Sequence, residues 1–190
     1  MPRVSIVLLL AGMLVACGRH EPRPSPASSP EAALAALRDE AARDSAAVAP
    51  ASPRLGGRAL IVLPDRERLE ANGIRRPSGT PATPESVAFL VEVMQIGVIA
   101  NVEALRRGRV FDTITVIGDA DPAAVPTGDN DFKVWLLADS PDDWRWYVAR
   151  ADHPTRAQVA IDLRLDKTQR LNSFNAGVVQ AAASLGAPAR

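Results

Sequence analysis

The sequence predicts an α/β (α+β) domain with a mixed sheet of about five strands, in the order β-α-β-β-β-β-α. Three observations support this fold class. An apolar run at residues 59–63 is typical of a strand buried on both faces. A long helical pattern separates it from a second strand pattern, and such a connection makes the two strands parallel. Three further strand patterns then follow one another closely, as in antiparallel sheets.

The first strand and the long helix have clear boundaries. The apolar run at 59–63 stops at Pro64, and a loop of some twenty residues follows. Thr83-Pro84-Glu85 then supplies an N-cap, a first-turn proline and an early acid. Apolar residues recur from there at spacings of three and four up to Gly108, which predicts a largely covered amphipathic helix.

The second strand is predicted at 111–118, and a hairpin follows it. Residues 131–138 and 144–150 flank a polar five-residue turn, a typical hairpin arrangement. If Ala138 opposes Trp144, then Trp135 opposes Tyr147 on one face of the hairpin. The pairs Leu136 with Trp146 and Val134 with Val148 then lie on the other face.

The end of the domain is predicted as a third antiparallel strand and a helix. Apolar and polar residues alternate at 159–165, which indicates a strand with one more polar face. A helix over about 167–185 follows and stops before Gly186, a residue type favoured after helix ends. The folded domain is therefore expected to span residues 58–186.

The segment before the domain is predicted to be a tether. Residues 17–57 are rich in proline, alanine, serine and charge, and such a composition cannot bury enough apolar surface to offset its ordering entropy. Ser29-Pro30-Glu31 has the features of a helix start. A short helix over 31–47 is expected within the tether.

Composition limits the classes of partner. The chain of 190 residues has 22 basic and 22 acidic side chains, a formal net charge of zero. No overall positive field attracts nucleic acid, so we expect no nucleic-acid partner. A single cysteine leaves no disulfide within the chain.

The amino terminus has the pattern of an export signal. Arg3 precedes twelve uncharged residues, Val4 to Val15, as in secretory signal peptides. Leu14-Val15-Ala16-Cys17 resembles the lipobox of bacterial lipoproteins. The resemblance implies cleavage of a signal peptide, residues 1–16, and fatty acylation of Cys17, which would anchor the protein to a membrane. An ordinary cleaved signal peptide is the alternative.

The same resemblance carries an expectation about location. Gly18 follows the cysteine, where an aspartate would resemble an inner-membrane retention signal. The implied location is the outer membrane, facing the periplasm.

Three aspartates could form a metal site. Asp65 follows the first strand, and Asp119 and Asp121 follow the second. Ligands tend to bind at the carboxyl ends of parallel strands, and clustered carboxylates bind Mg²⁺ or Ca²⁺. The alternative is that these aspartates are simply turn formers.

Two other features could form a binding surface. The loop at 66–81 carries Arg66, Arg68, Arg75 and Arg76, and loops of this length are often functional or disordered. Trp135 and Tyr147 could stack on sugar rings, contact a protein, or belong to the core.

These features together predict a non-enzymatic, membrane-anchored lipoprotein that binds a protein partner in the cell envelope. No cofactor is expected, and a small-molecule ligand is left open. The alternatives are a metal-dependent hydrolase or transferase that uses Asp65, Asp119 and Asp121, and a module that binds peptidoglycan or another carbohydrate.

Overall fold

The computed structural model describes residues 29–64, 66–72, 83–140, 143–162 and 164–186. Its helices and strands are α1 (Pro30–Ala46), β1 (Arg58–Val62), α2 (Arg66–Asn72), α3 (Pro84–Arg107), β2 (Thr113–Ile117), β3 (Phe132–Ser140), β4 (Asp143–Arg150), β5 (Arg156–Gln158) and α4 (Lys167–Ser184).

The strands form one mixed sheet in the order β2-β1-β3-β4-β5. Strand β1 lies between β2 and β3 and runs parallel to both. Strand β4 is antiparallel to both of its neighbours, β3 and β5. The predicted fold class is therefore confirmed, including the parallel connection from β1 to β2 that contains α3.

The hairpin register is confirmed, whereas its turn is tighter than predicted. Trp135 pairs with Tyr147 and Leu136 with Trp146. The pairing continues to Ser140 and Asp143 after a register shift beyond Ala138. The predicted five-residue turn is too long because this irregularity keeps the two strands together further along the hairpin.

Strand β5 is shorter and begins earlier than predicted. It covers Arg156–Gln158, whereas the alternation had indicated 159–165. Val159 still donates its backbone N–H to the carbonyl of Trp146, at 2.8 Å. Gly177 of α4 then approaches so closely that an added Cβ would lie 2.3 Å from the carbonyl oxygen of Ala160. Beyond Val159 the chain therefore packs against α4 instead of continuing the sheet.

One face of the sheet is covered by α3 and α4, and we call it the covered face. Phe174 and Val178 of α4 are fully buried together with Ile61, Val134 and Val148 of the sheet. The rings of Phe174 and Trp146 lie 5.0 Å apart between their centroids. This face holds the main hydrophobic core.

The opposite face, which we call the open face, has a smaller cluster of its own. Leu60, Val62 and Trp135 are buried there. Their partly buried neighbours come from strands and from the loop after β2, and no described helix residue belongs to this cluster. Further along the face, Thr115 and Ile117 of β2 are exposed.

Helix α1 packs against α3 and α4, so the predicted boundary of the folded domain at residue 58 differs from the structure. The Ser45 hydroxyl lies 2.7 Å from the carbonyl oxygen of Ala41 and 3.4 Å from that of Ala100. Arg38 forms an ion pair with Glu92 at 3.0 Å. The predicted helix is present, but it belongs to the folded unit.

The remainder of the predicted tether is also attached to the domain. Val48 is buried with Ala104 and Leu171. The backbone N–H of Ala51 donates to the carbonyl of Gly108 at 2.7 Å. The tether interpretation fails here because this segment docks through small residues and backbone hydrogen bonds, which composition does not reveal.

Part of the predicted loop at 66–81 is helical. In α2, Leu69 is buried against Leu90 and Val91 of α3. Within the described ranges, α3 is the one helix whose length and composition would allow it to cross a membrane. In the fold it lies between the sheet and α1, where an apolar helix is expected.

Candidate functional site

The open face carries a cleft of about 400 Å³. It lies among α2, β3, β5 and the loop that follows β2. Its apolar surface is provided by Pro122, Ala123, Trp135 and Leu137. Its charged side chains are Arg68, Asp121, Lys133 and Arg156.

An aromatic pair lies at the cleft. Trp135 and Tyr147 are directly opposite each other on β3 and β4, and their rings stack with centroids 5.7 Å apart and an interplanar angle of 22°. Trp135 is only 7% exposed, whereas Tyr147 is half-buried. The pair therefore acts as a platform whose accessible part is mainly Tyr147.

Arg156 lies over this aromatic pair. Its guanidinium carbon is 4.5 Å from the ring centroid of Tyr147 and 6.0 Å from that of Trp135. Strand β5 positions it, because Arg156 pairs with Ala149, two residues from Tyr147 on the same face. No carboxylate within the described ranges lies at ion-pair distance from Arg156. The rings thus hold an exposed cation in place.

Lys133 attaches the loop after β2 to the sheet. Its ammonium group donates hydrogen bonds to the carbonyls of Pro122 and Val125, and it lies 5.5 Å from the Trp135 ring centroid. Burial lowers the pKa of Lys133 below its ordinary value, while the Asp121 carboxylate acts in the opposite direction. Lys133 therefore supports the wall of the cleft and contributes positive charge there.

The single carboxylate of the cleft is already engaged. Asp121 lies 3.6 Å from a guanidinium nitrogen of Arg68, and its Oδ1 accepts a hydrogen bond from the backbone N–H of Ala123 at 2.9 Å. Three cationic side chains and one carboxylate give the lining a formal charge of +2. The electrostatics of this site favour an anionic ligand.

The predicted metal site finds no support in the described part of the chain, where no three acidic, histidine or cysteine side chains are grouped to hold an ion. Asp119 is exposed, with a φ of 51°, and Asp121 lies among cations that would repel a divalent ion. Asp65 is outside the described residues.

The predicted basic surface is only partly assembled. Arg66 pairs with Glu70 of its own helix α2 at 2.9 Å and approaches Glu92 of α3 to 3.9 Å. Of the two predicted arginines that the structure describes, Arg68 lines the cleft and Arg66 does not. Arg75, Arg76 and Cys17 lie outside the described residues.

Sequence reasoning missed Lys133 and Arg156. Lys133 precedes Trp135 by two residues and so shares its face of the strand, a signal that was present in the sequence. Arg156 could be placed beside Tyr147 only by starting β5 three residues earlier than the alternation suggests. No protein-family model, curated protein or solved structure matches this chain.

Proposed function

We propose that this protein is a membrane-anchored lipoprotein of the bacterial cell envelope whose α+β domain binds a protein partner through its open face. The anchor would be Cys17, within the lipobox-like Leu14-Val15-Ala16-Cys17. The expected location is the outer membrane, facing the periplasm. The domain itself would act by binding and not by catalysis.

The observation that carries the binding proposal is the difference between the two faces of the sheet. Helices cover one face, while the other presents a cleft lined by Trp135 and three cations, with Tyr147 stacked against the Trp135 ring. Arginine and aromatic residues are enriched in protein interfaces, and they contribute much of the binding energy. A protein ligand would pack on the open face, in the position that helices occupy on the covered face.

Chain geometry limits how far such a domain could lie from its anchor. Ser29, the first described residue, lies twelve positions after Cys17 (29 − 17). An extended chain of this length reaches at most about 40 Å. Because α1 is part of the folded unit, the linker is shorter than composition suggests. The proposed partner would therefore act near the membrane surface.

The anchor is tested by replacing Cys17. Mass spectrometry of the membrane fraction should find a fatty-acylated amino-terminal cysteine, and Cys17→Ser should abolish both the acylation and the membrane retention. An unmodified thiol on a full-length chain would overturn the lipoprotein proposal.

The binding surface is tested by site-specific photocrosslinking in intact cells. Gln158 lies on the open face beside Tyr147, and Gln180 is an exposed residue of α4 on the helical side. We expect a photoreactive amino acid at position 158, but not at 180, to capture a defined protein identified by mass spectrometry. Equal products from both sites, or none from 158, would contradict the proposal.

A further inference from the structure

We propose that the cleft on the open face recognises an acidic peptide segment of the partner, with Arg156 as the principal carboxylate receptor. This inference rests on the proposed function and names the chemical class of the partner. It follows from the charge of the cleft, the position of Arg156 and the apolar surface beside it.

The charge of the cleft selects an anion. The protein as a whole has a formal net charge of zero, whereas the lining of this cleft has a formal charge of +2 from Arg68, Lys133, Arg156 and Asp121. Such a concentration of like charge in a concave site attracts ligands of opposite sign. The excess of positive charge is therefore local to the cleft, since the whole chain carries none.

The position of Arg156 favours a carboxylate. A guanidinium group over an aromatic ring retains the N–H donors along its edge, and these match the two oxygens of a carboxylate. Tyr147 lies 4.5 Å below the guanidinium carbon, so the side chain is supported before any ligand arrives. Preorganisation of this kind reduces the entropy lost on binding.

The apolar part of the cleft favours a peptide as the source of the carboxylate. Pro122, Ala123 and Leu137 contribute to the lining next to the charged groups. A peptide with an aspartate or glutamate beside an apolar residue would satisfy both kinds of surface. Such a peptide would match the cleft both in charge and in apolar contact surface.

Two other ligand classes fit less well. A sugar ring needs an accessible aromatic face, but Trp135 is 7% exposed and Arg156 already lies over Tyr147. Inorganic phosphate has no apolar part to contact Pro122, Ala123 and Leu137, which line the same cleft. Both classes are included in the test as contrary outcomes.

The test uses the purified full chain and a synthetic twelve-residue peptide that alternates glutamate with leucine and serine. The control peptide has glutamine at every glutamate position. Binding is followed by the NMR signals of the indole N–H groups, because the chain has three tryptophans. We expect the signal of Trp135 to shift and that of the buried Trp146 to remain in place.

Matched variants localise the binding. Arg156→Gln should weaken binding of the acidic peptide by about tenfold, the effect expected for loss of a charge-assisted hydrogen-bonded pair. Arg107→Gln, at the end of α3 on the other side of the sheet, should leave the affinity unchanged. Because Arg156 is exposed, its replacement should not unfold the protein, and unchanged indole signals of Trp144 and Trp146 would verify this.

Several results would overturn the proposal. These are equal binding of the glutamine peptide, an unchanged affinity in Arg156→Gln, or no binding of the acidic peptide at millimolar concentration. Preferential binding of inorganic phosphate, anionic phospholipid vesicles or peptidoglycan fragments would also contradict it. If photocrosslinking at position 158 still captured a protein, the proposed function would stand and only the acidic peptide would be excluded.

Discussion

The two faces of the sheet obey different physical requirements. On the covered face, apolar side chains interlock with α3 and α4, and Phe174, Val134 and Val148 are inaccessible to solvent. On the open face, a smaller apolar cluster lies beneath charged side chains, and Lys133 and Arg156 lie over aromatic rings. The comparison indicates that one face stabilises the fold while the other remains available for binding.

The largest expected effect is on the covered face. Phe174→Ala should lower the free energy of unfolding by about 3–5 kcal/mol, because it leaves a cavity among fully buried neighbours. Tyr147→Ala on the open face should cost about 1 kcal/mol, since that ring is half-buried. Chemical denaturation of both variants measures the difference. Equal losses of unfolding free energy would mean that the open face contributes as much to stability as the covered face.

The fit between α4 and the end of the sheet can be tested with two helical glycines. Gly177→Ala should cost about 1–3 kcal/mol through overpacking, because the new Cβ would lie 2.3 Å from the Ala160 carbonyl oxygen. Gly97 of α3 has open space around it, so Gly97→Ala should stabilise the protein by about 0.5–1 kcal/mol. Thermal unfolding should show shifts of opposite sign. Two shifts of the same sign would contradict the close approach.

A smaller effect is expected from the loop on the open face. Lys133→Met should cost about 1 kcal/mol, because it removes two hydrogen bonds to loop carbonyls from a partly exposed group. Hydrogen exchange should accelerate at Ala123 and Ala124, whose N–H groups lie in this loop. Unchanged exchange there would show that the lysine does not hold the loop.

The pH dependence of stability gives the smallest effect. The pKa of Lys133 is lowered by burial from its ordinary 10.5, against the influence of Asp121. Between the folded and unfolded pKa values, the unfolded chain binds more protons, so this group makes the free energy of unfolding rise with pH. The stability difference between the natural chain and Lys133→Met should therefore increase as pH approaches 10.5. A decrease over that interval would contradict the assignment.

The success of sequence reasoning depended on how local each signal was. The register of Trp135 with Tyr147 was predictable because alternation and a short turn determine it together. The placement of α1 was not predictable, since Ser45 is its one buried residue and its other contacts include the ion pairs of Arg38 and Glu40. The early end of β5 was missed because Val159 and Ile161 contact the core without continuing the strand.

In the candidate site, too, the features set by local sequence were predictable and those set by distant contacts were not. The aromatic pair could be named from the sequence because both residues lie on one hairpin. The cleft required α2, the loop after β2, and β5 to meet, and Arg68, Asp121 and Arg156 are separated by 53 and 35 residues along the chain. Contacts over such separations are selected by packing of the whole domain and not by local propensity.

The sequence by itself determined the fold class, the parallel connection and the hairpin register, because these follow from the periodicity of apolar residues and from turn chemistry. Only the tertiary structure decided that α1 joins the fold, that one sheet face stays open, and that Arg68, Asp121, Lys133 and Arg156 line one cleft. Those features depend on contacts between segments that are distant in the chain, and no local sequence pattern predicts such contacts.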